Sequence, residues 1–387
     1  MAVIPSGQQV AGGAQVPLPT VDVLVAGLGP GGCAAALAAR AEGLHTLAVE
    51  ARGPQATRSQ LVLVRPGAQA ALRQLGLPDI TEGRRTTTIR HVENRLRAAL
   101  QARVHADAAA HPAAAPRTAL CWHTGVVDLQ AGTERVVVTL RDETTGTTRQ
   151  VAARHVIDAS GGRLEALGRP ARERAGPRHV VSTAEYGTPP WFDGIVGVRD
   201  PATHELFLLF PTWGRRGVIA YFDAPTGPRP LAEQVVQRFG AIADRLGLGA
   251  PNEPLWAVDV YQRVLRRPNA GRVLPIGDAV GTVDVLLGAG MSTAIEDGAD
   301  AARSVAAACR EASLRGALER LDATSRMLHR RHRASALRGR LLLAARPLVE
   351  RAWPSATLPD VARAQLGPPP LLWPAVRFLF GRRPSTS

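Results

Sequence analysis

The feature that most constrains the fold is the glycine-rich turn "GLGPGG" at residues 27–32, because of what stands on either side of it. The β-branched run "VDVLVA" before the turn predicts a strand, and the small residues of "CAAALAARAEG" after it predict a helix. The next segment, "LHTLAVE", predicts a second strand that ends at Glu50. Together these elements indicate a βαβ unit and therefore an α/β fold around a parallel sheet.

The spacing of Gly27, Gly29 and Gly32 matches the GxGxxG pattern of dinucleotide-binding turns. The glycines allow a tight turn, so that the backbone can approach a pyrophosphate at the N-terminus of the helix. A carboxylate at the end of the second strand, here Glu50, can bind the ribose hydroxyls of an adenosine. An acidic residue at this place favours FAD or NAD over NADP, whose ribose carries a 2′-phosphate.

A second glycine-rich stretch, "GRVLPIGDAVGTVDVLLGAGMSTAIEDG", discriminates between FAD and NAD. It predicts a strand, a turn that carries Asp278, another turn at Gly288, and then a helix. Asp278 can accept hydrogen bonds from a polyol, and the N–H groups of the helix start can stabilise negative charge on a reduced ring. These N–H groups belong to Gly290, Met291 and Ser292. FAD has a ribityl chain and a ring that becomes anionic, whereas NAD has neither, so the stretch predicts FAD.

A chain of 387 residues is long for one hydrophobic core, which indicates two closely packed domains. Runs such as "HELFLLFPTW" and "GVIAYFDA" predict an antiparallel sheet in the aromatic middle of the chain. The predicted organisation is a flexible tail (1–19), the first part of an FAD-binding domain (20–169, with a contribution to the substrate domain near 55–90), a substrate-binding β-sheet domain (170–268), the second part of the FAD-binding domain (269–310) and a C-terminal helical region (311–387).

Between the two glycine-rich stretches, the local pattern predicts a long helix and several strands. Ile89, Val92, Leu96 and Leu100 fall on one face of a helix from about residue 88 to 102. The low-complexity segment "HADAAAHPAAAPR" is interrupted by proline and predicts a loop. The following segment "TALCWHTGVVDLQ" predicts a single strand.

The net charge of +14 comes from arginine alone, because all 47 basic residues are arginine. This excess suggests an anionic partner, which can be an anionic cofactor, an acidic carrier protein or an anionic membrane surface, and the simpler alternative is a basic face that only contacts solvent. Nucleic acid is disfavoured, since aromatic residues make up only 4% of the chain and no recognition motif accompanies the arginines. The cluster "RMLHRRHRASALRGR" at residues 326–340 lies on a predicted helix and is the candidate docking face; a solvated helix face is the simpler alternative.

The cysteine pattern favours a reducing cytoplasm. Cys33, Cys121 and Cys309 form no CxxC pair and have no neighbouring histidines, so neither a disulfide framework nor a metal site is expected. The start of the chain lacks the charged beginning and hydrophobic middle of a signal peptide, and glycines interrupt the apolar run at residues 21–39. We therefore expect a cytoplasmic protein, with peripheral membrane association left open by the basic helix.

Three stretches together resemble a known superfamily. "VDVLVAGLGPGGCAAALAARAEGLHTLAVEAR", "HVIDASGG" and "GRVLPIGDAVGTVDVLLGAGMSTAIEDG" have the order and spacing of FAD-dependent enzymes with the p-hydroxybenzoate hydroxylase-like fold. This superfamily includes class A flavoprotein monooxygenases, geranylgeranyl-reductase-like proteins and flavin halogenases. The resemblance covers about residues 20–310 and implies a discontinuous Rossmann-like FAD-binding domain, an antiparallel-sheet substrate domain and a C-terminal helical region.

The resemblance also implies roles for particular residues. Glu50 would bind the adenosine ribose, Arg90 would lie near the pyrophosphate, and Asp278 would hold the ribityl chain. Two adjacent valines would flank the adenine, and Arg58 lies in the loop that would reach the isoalloxazine ring. The complete predicted cofactor-binding set is Gly27, Gly29, Gly32, Glu50, Ala51, Arg52, Arg58, Arg90, Val126, Val127, Asp158, Gly161, Asp278, Gly288, Gly290, Met291 and Ser292.

The departures from the superfamily pattern narrow the chemistry. Class A hydroxylases usually carry a histidine and a proline before the second glycine turn, where this chain has Val280, Gly281 and Val285, so the motif resembles the reductase and halogenase variants. The middle motif appears as Asp158 to Gly161 without its usual downstream serine, which argues against the usual mode of NADPH binding. The absence of lysine argues against halogenation of the tryptophan type, which relies on an active-site lysine.

The sequence therefore predicts an FAD-dependent monooxygenase that hydroxylates or epoxidises a hydrophobic small molecule, such as a secondary metabolite. The resemblance implies a flavin C4a-hydroperoxide, with NADH or NADPH as a transient reductant. The alternatives are an alkene reductase of the geranylgeranyl reductase type, a redox-neutral cyclase of a polyene or polyketide, and a non-catalytic flavin- or lipid-binding protein. Pocket candidates are Arg58, Tyr186, His204, Phe210, Trp213, Tyr221 and Tyr261.

Overall fold

The computed structural model describes most of the chain between Leu18 and Ala352. The described residues are 18–55, 60–78, 80, 86–110, 117–162, 164, 172–188, 196–199, 206–212, 216–222, 232–252, 256–266, 271–282 and 290–352. The predicted flexible tail lies outside them, apart from Leu18 and Pro19.

The elements follow one another in the order that the sequence patterns predict. The strands are β1 (Thr20–Ala26), β2 (Thr46–Glu50), β3 (Leu61–Leu63), β4 (Thr86–Thr88), β5 (Thr118–Trp122), β6 (Thr124–Ala131), β7 (Val136–Asp142), β8 (Thr148–Asp158), β9 (Arg172–Gly187), β10 (Val196–Arg199), β11 (Leu206–Thr212), β12 (Arg216–Phe222), β13 (Trp256–Leu265), β14 (Val273–Pro275) and β15 (Gly281–Thr282). The helices are α1 (Pro30–Ala41), α2 (Pro66–Gln74), α3 (Ile89–Ala110), α4 (Ala232–Leu246), α5 (Gly290–Arg310) and α6 (Leu314–Ala352).

The first sheet is built around the predicted βαβ unit. It has seven strands in the order β5-β2-β1-β8-β7-β6, and β14 pairs with β8. β1 pairs in parallel with both β2 and β8, and every residue of β2 is buried, as expected for a strand covered on both faces. The α/β fold class is confirmed.

The second sheet is antiparallel, as the strand-like runs in the aromatic middle of the chain predict. Its six strands have the order β10-β11-β12-β9-β13-β15. Helix α4 covers it, and the rings of Phe207 on β11 and Phe239 on α4 meet edge to face, with centroids 5.7 Å apart. β3 and β4 form a separate two-stranded ribbon.

A short turn joins the two sheets. β14 pairs with β8 in the first sheet, whereas β15 pairs with β13 in the second. The turn between them, residues 276–280, carries Asp278 and includes one turn of 3-10 helix at Gly277–Ala279. The second glycine-rich stretch of the sequence therefore lies at the boundary between the two sheets.

Helices α1 and α5 approach each other closely because both present glycine at the contact. A Cβ added to Gly298 would lie 2.2 Å from the carbonyl oxygen of Gly31, and a Cβ added to Gly31 would lie 2.8 Å from that of Ala294. Larger residues would hold the helices apart, so this contact brings the first glycine-rich stretch against the C-terminal end of the second.

Two local predictions are wrong. Helix α3 extends to Ala110 rather than ending near residue 102, because the alanines of "HADAAA" favour helix over loop. The predicted single strand "TALCWHTGVVDLQ" is two strands that are separated at His123, whose φ of 52° interrupts the extended backbone. As a result, β5 pairs in parallel with β2, while β6 pairs antiparallel with β7.

The arginine-rich cluster lies on helix α6, as predicted, but only part of it faces solvent. Arg326, Arg330, Arg333 and Arg340 are exposed, whereas the histidines of the cluster are buried. Docking of this face to an acidic carrier protein or an anionic membrane stays a prediction. Among the described residues, no helix is both long enough and apolar enough to cross a membrane.

Substitution of Gly298 by alanine tests the contact between α1 and α5. We expect Gly298→Ala to lower the free energy of unfolding by about 1 to 3 kcal/mol, because the new methyl group meets backbone atoms of α1. Gly240→Ala on α4 is the matched control, since an added Cβ there meets nothing within 4 Å and alanine favours helix. Chemical denaturation followed by circular dichroism measures both variants, and equal losses would contradict close packing.

His155 on β8 makes the fold sensitive to acid. Burial lowers the pKa of His155 from 6.5 to about 4, and the nearby charges of Arg272 and Arg154 act in the same direction. As the pH falls below 6.5, His155 therefore becomes protonated in the unfolded chain but stays neutral in the folded chain. The free energy of unfolding decreases until the pH reaches about 4.

Comparison of wild type with His155→Gln isolates this effect, because glutamine is neutral at every pH. From the pKa difference we expect the wild type to lose about 3 kcal/mol more than the variant between these two pH values. Denaturation curves at a series of pH values measure the difference. Parallel curves for the two proteins would show that His155 can be protonated in the folded state.

Candidate functional site

The turn between β1 and α1 depends on glycine at two positions. Gly27 has a φ of 101°, and a Cβ on it would lie 2.6 Å from the carbonyl oxygen of Ala159 at the end of β8. A Cβ on Gly32 would lie 1.8 Å from the carbonyl oxygen of Gly27. Only glycine permits this turn, which aims the N-terminus of α1 at the carboxyl edge of the parallel strands.

The N-terminus of α1 has the features of an anion-binding site. Gly29 is the N-cap residue, and no side chain caps the helix. A Cβ on Gly29 would meet only the Oε1 atom of Glu93, 3.9 Å away, so space remains beside the backbone. The positive end of the helix dipole and the first N–H groups of α1 can therefore bind a pyrophosphate that approaches Gly29.

Glu50 at the end of β2 stands beside this turn, as predicted. Its Oε2 accepts a hydrogen bond from the Leu28 N–H at 2.9 Å, and its Oε1 accepts bonds from the backbone N–H and the Nε of Arg52 at 3.1 and 2.9 Å. Burial raises the pKa of Glu50, but these hydrogen bonds outweigh that effect and the net shift is downward. Glu50 is therefore ionised at neutral pH and is suited to accept hydrogen bonds from ribose hydroxyls.

Two charged residues of α3 that the sequence analysis missed line the same turn. The guanidinium of Arg97 donates from Nε to the Leu28 carbonyl at 3.1 Å and from Nη1 to the Pro54 carbonyl at 2.9 Å, and it stacks on the Trp122 ring. Glu93 is fully buried, and its Oε2 lies 3.8 Å from Nη2 of Arg97. Their spacing of four residues on the apolar face of α3 was the available signal.

The predicted pyrophosphate contact Arg90 lies in the first turn of the same helix and is half-buried. It precedes Glu93 by one turn, so α3 presents both residues near the start of α1. The structure thus adds Glu93 and Arg97 to the residues around the turn and leaves the role of Arg90 a prediction.

The two valines that are predicted to flank the adenine lie on β6, which approaches the end of β2. A Cβ on Gly125 of β6 would lie 3.7 Å from the Cβ of Ala51, which follows Glu50. The pairing of β6 with β7 shifts between Val126 and Asp128, so that Val127 is the extra residue of a bulge. Both valines are half-buried beside the end of β2.

The middle motif folds back on itself at the end of β8. Asp158 is buried, and its Oδ1 accepts hydrogen bonds from the Ser160 N–H and Oγ at 3.1 and 2.7 Å. Gly161 follows with a φ of 70° and is exposed. This side-chain capping of the loop keeps Ala159 against Gly27 and so supports the first glycine turn.

The second glycine-rich stretch reaches the same edge of the first sheet. Asp278 is exposed in the turn after β14, and Gly277 next to it would place a Cβ 2.8 Å from the Cβ of Ala294 on α5. Gly290 and Met291 begin α5. The Ser292 hydroxyl donates to the Leu63 carbonyl at 2.6 Å and accepts from the backbone N–H of Arg65, so it fixes the start of α5 against the segment after β3.

The structure describes only some of the predicted pocket residues. Tyr186 lies next to the last residue of β9 and is buried; burial and the charge of Asp244 raise its pKa to about 12. Phe210, Tyr221 and Tyr261 lie on β11, β12 and β13, where they pair with Val218, Ser182 and Arg178. Arg58, His204, Trp213 and Gly288 lie outside the described residues.

Comparison with known proteins agrees with this geometry. The family described as "FAD binding domain" matches residues 20–335. The chain belongs to this family. The FAD-binding match includes both glycine-rich stretches, the second sheet between them and most of the cluster on α6, and the predicted superfamily and cofactor are confirmed.

One curated relative of this FAD-binding protein is protoasukamycin 4-monooxygenase from Streptomyces nodosus subsp. asukaensis. The two are 29% identical over 219 residues, which are 50% of this chain and 51% of that enzyme. The chain therefore matches about half the length of this relative.

Solved structures of flavin-dependent monooxygenases share the fold. PieE in complex with FAD and substrate superposes with a TM-score of 0.69 at 19% identity, over 90% of this chain and 68% of that one. The p-nitrophenol 4-monooxygenase PnpA from Pseudomonas putida DLL-E4 gives a TM-score of 0.68 at 18% identity, over 95% of this chain and 100% of that one. Identities this low establish the fold alone.

The residues present fit FAD. The uncapped N-terminus of α1 with space beside Gly29 suits the pyrophosphate, and the ionised Glu50 suits a ribose. Exposed Asp278 lies on the turn that packs against α5, which itself packs against α1. The chain thus offers, along one edge of the first sheet, a site for each polar part of the cofactor.

Glu50 can be tested by its effect on FAD binding. We expect Glu50→Ala to raise the Kd for FAD by roughly tenfold to a hundredfold, since an ionised acceptor for the ribose hydroxyls and for Leu28 N–H is lost. Quenching of flavin fluorescence during titration of the apoprotein measures the Kd.

Glu134→Ala provides the control for this titration. Glu134 is exposed in the hairpin between β6 and β7, next to Arg135, which reaches Thr20 at the opposite end of β1 from the glycine turn. We expect wild-type affinity for this variant. Unchanged affinity in Glu50→Ala would remove Glu50 from the binding site.

Proposed function

We propose that this protein is an FAD-dependent monooxygenase that hydroxylates or epoxidises a hydrophobic small molecule. The observation that carries the proposal is the position of the Asp278 turn, which joins the cofactor-binding edge of the first sheet to the second sheet. Residues of this turn would hold the flavin near the boundary between the two sheets, where a substrate bound by the second sheet could reach it. The name of the related protoasukamycin 4-monooxygenase supports the reaction type.

The chain itself contributes binding and orientation. Glu50 holds the adenosine ribose, the α1 N-terminus binds the pyrophosphate, and Asp278 accepts hydrogen bonds from the ribityl hydroxyls. The first N–H groups of α5 stabilise negative charge near the ring. When it is bound and reduced, FAD supplies the electrons that activate oxygen, so the protein needs few acid-base side chains of its own.

The reductant in this proposal is NADH or NADPH, which binds transiently. The sequence has one GxGxxG turn, and the proposal uses that turn for the flavin, so the reductant has no such turn of its own. The substrate class is a hydrophobic small molecule such as an aromatic secondary metabolite.

An alkene reductase is the second candidate, because Val280 and Gly281 replace residues that class A hydroxylases usually carry before the second glycine turn.

Labelled oxygen separates the candidate reactions. We expect the purified protein to bind FAD, to oxidise NADH or NADPH in a substrate-dependent way and to transfer one atom of isotopically labelled O₂ into the product, as detected by mass spectrometry. Protoasukamycin and p-nitrophenol are the first compounds to test, because related proteins are named for them.

The controls for that experiment are anaerobic. Product formed with reductant but without oxygen would identify the alkene reductase, and product formed by oxidised flavin without any reductant would identify a redox-neutral cyclase. Bound FAD that shows no oxygen uptake with any reductant would contradict the monooxygenase. Replacing O₂ by labelled water distinguishes oxygen incorporation from hydrolysis.

A further inference from the structure

Both ends of the turn that carries Asp278 are held by side chains from helices outside it. At one end the N–H of Gly277 donates a hydrogen bond to Oδ2 of Asp297 on α5, at 3.2 Å. At the other end the carbonyl oxygen of Gly281 lies 2.8 Å from Nδ1 of His332 on α6. One residue from each of two helices, Asp297 of α5 and His332 of α6, is thus within hydrogen-bond distance of one end of the turn.

Asp297 and His332 also contact each other. Nε2 of His332 lies 2.7 Å from Oδ2 of Asp297, the same oxygen that accepts from Gly277, and both side chains are buried. Arg331 donates to Oδ1 of Asp297 at 2.7 Å and to Asp300 at 2.8 Å. A closed chain of hydrogen bonds therefore runs from Gly277 through Asp297 and His332 to Gly281.

The contacts of His332 and Asp297 connect the two ends of the turn. One ring nitrogen of His332 lies beside a backbone carbonyl, and the other lies beside a carboxylate that also accepts from Arg331 and Gly277. The guanidinium of Arg331 and these hydrogen bonds offset the cost of burying the carboxylate of Asp297. Loss of one partner therefore disturbs the whole network.

We propose that Asp297 and His332 form a clamp that sets the distance between Gly277 and Gly281 and thereby positions Asp278 for FAD. The inference rests on the proposed flavin site, in which Asp278 binds the ribityl chain. His332 is a positioning residue, because it acts through the Gly281 carbonyl of the turn. Because β14 and β15 continue the turn into different sheets, the clamp also fixes the flavin site relative to the second sheet.

Helix α6 provides a matched control one turn away. His329 is also buried, and its Nε2 lies 2.8 Å from the Leu265 carbonyl on β13. It therefore anchors the same helix by a hydrogen bond of the same kind, but to a carbonyl outside the turn. If His332 only attached α6 to the protein, the two histidines would have the same effect on FAD.

The test compares FAD binding by the full-length apoprotein of four variants with that of the wild type. His332→Gln keeps one donor, His332→Phe keeps the ring shape without any donor, and Asp297→Asn removes the charge that joins the two ends of the turn. His329→Gln is the control. Flavin fluorescence gives the Kd, thermal unfolding of each apoprotein gives its stability, and visible circular dichroism of the FAD-saturated proteins reports the flavin surroundings.

We expect His332→Gln and Asp297→Asn to raise the Kd for FAD about tenfold, which corresponds to about 1.4 kcal/mol. His332→Phe should raise the Kd further, and His329→Gln should leave it within about twofold of wild type. The visible circular dichroism should change in the His332 variants and not in His329→Gln, even where the thermal midpoints are equal. If His332→Phe does not fold, the Kd values of His332→Gln and Asp297→Asn are compared with that of His329→Gln instead.

Two results would overturn the clamp. One is wild-type affinity in His332→Gln and Asp297→Asn, and the other is an equal loss of affinity in His329→Gln and His332→Gln. Failure of the wild-type protein itself to bind FAD is a different result, because it would overturn the proposed function and the clamp with it. The wild-type titration therefore distinguishes the failure of the inference from the failure of the function.

Discussion

The close approach of α1 and α5 is the constraint on which the site depends. Gly31 and Gly298 bring the two helix backbones within a distance that any side chain would prevent. Each helix starts at one of the two glycine-rich stretches, so their contact places the pyrophosphate turn beside the turn that carries Asp278. Residues far apart in the chain can then bind the two halves of one cofactor, because a rigid helix pair fixes the distance between them.

Much of the fold could be predicted because its signals are local. The β-branched runs, the GxGxxG turn and the apolar and aromatic runs of the second sheet specify their elements over a few residues each. The errors arose where local signals compete. The alanines after residue 102 extend α3, although the low complexity of the segment favoured a loop. The break between β5 and β6 depends on a positive φ at His123, which histidine as a residue type does not predict.

The site was predicted in part for the same reason. Residues inside a motif, such as Glu50 and Asp278, are recognisable from their neighbours, whereas the roles of Glu93, Arg97 and His332 depend on partners distant in the chain. The cluster on α6 shows the limit clearly. Its arginines suggested a solvated or docking face, but Arg331 and His332 face inward and bind Asp297. A charge pattern indicates how many ionic groups a helix carries and leaves open which of them are buried.

The turn between β14 and β15 has a consequence for the proposed chemistry. In the proposed function the first sheet binds the parts of FAD that do not react and the second sheet binds the substrate, so a change in the turn would alter the alignment of one with the other. An oriented reaction depends on alignment within fractions of an ångström. Two of the positions that depart from the class A hydroxylase pattern lie here: Val280 ends the turn and Gly281 begins β15. In this chain the geometry of that turn is instead specified from outside, by the buried carboxylate of α5 and the buried imidazole of α6.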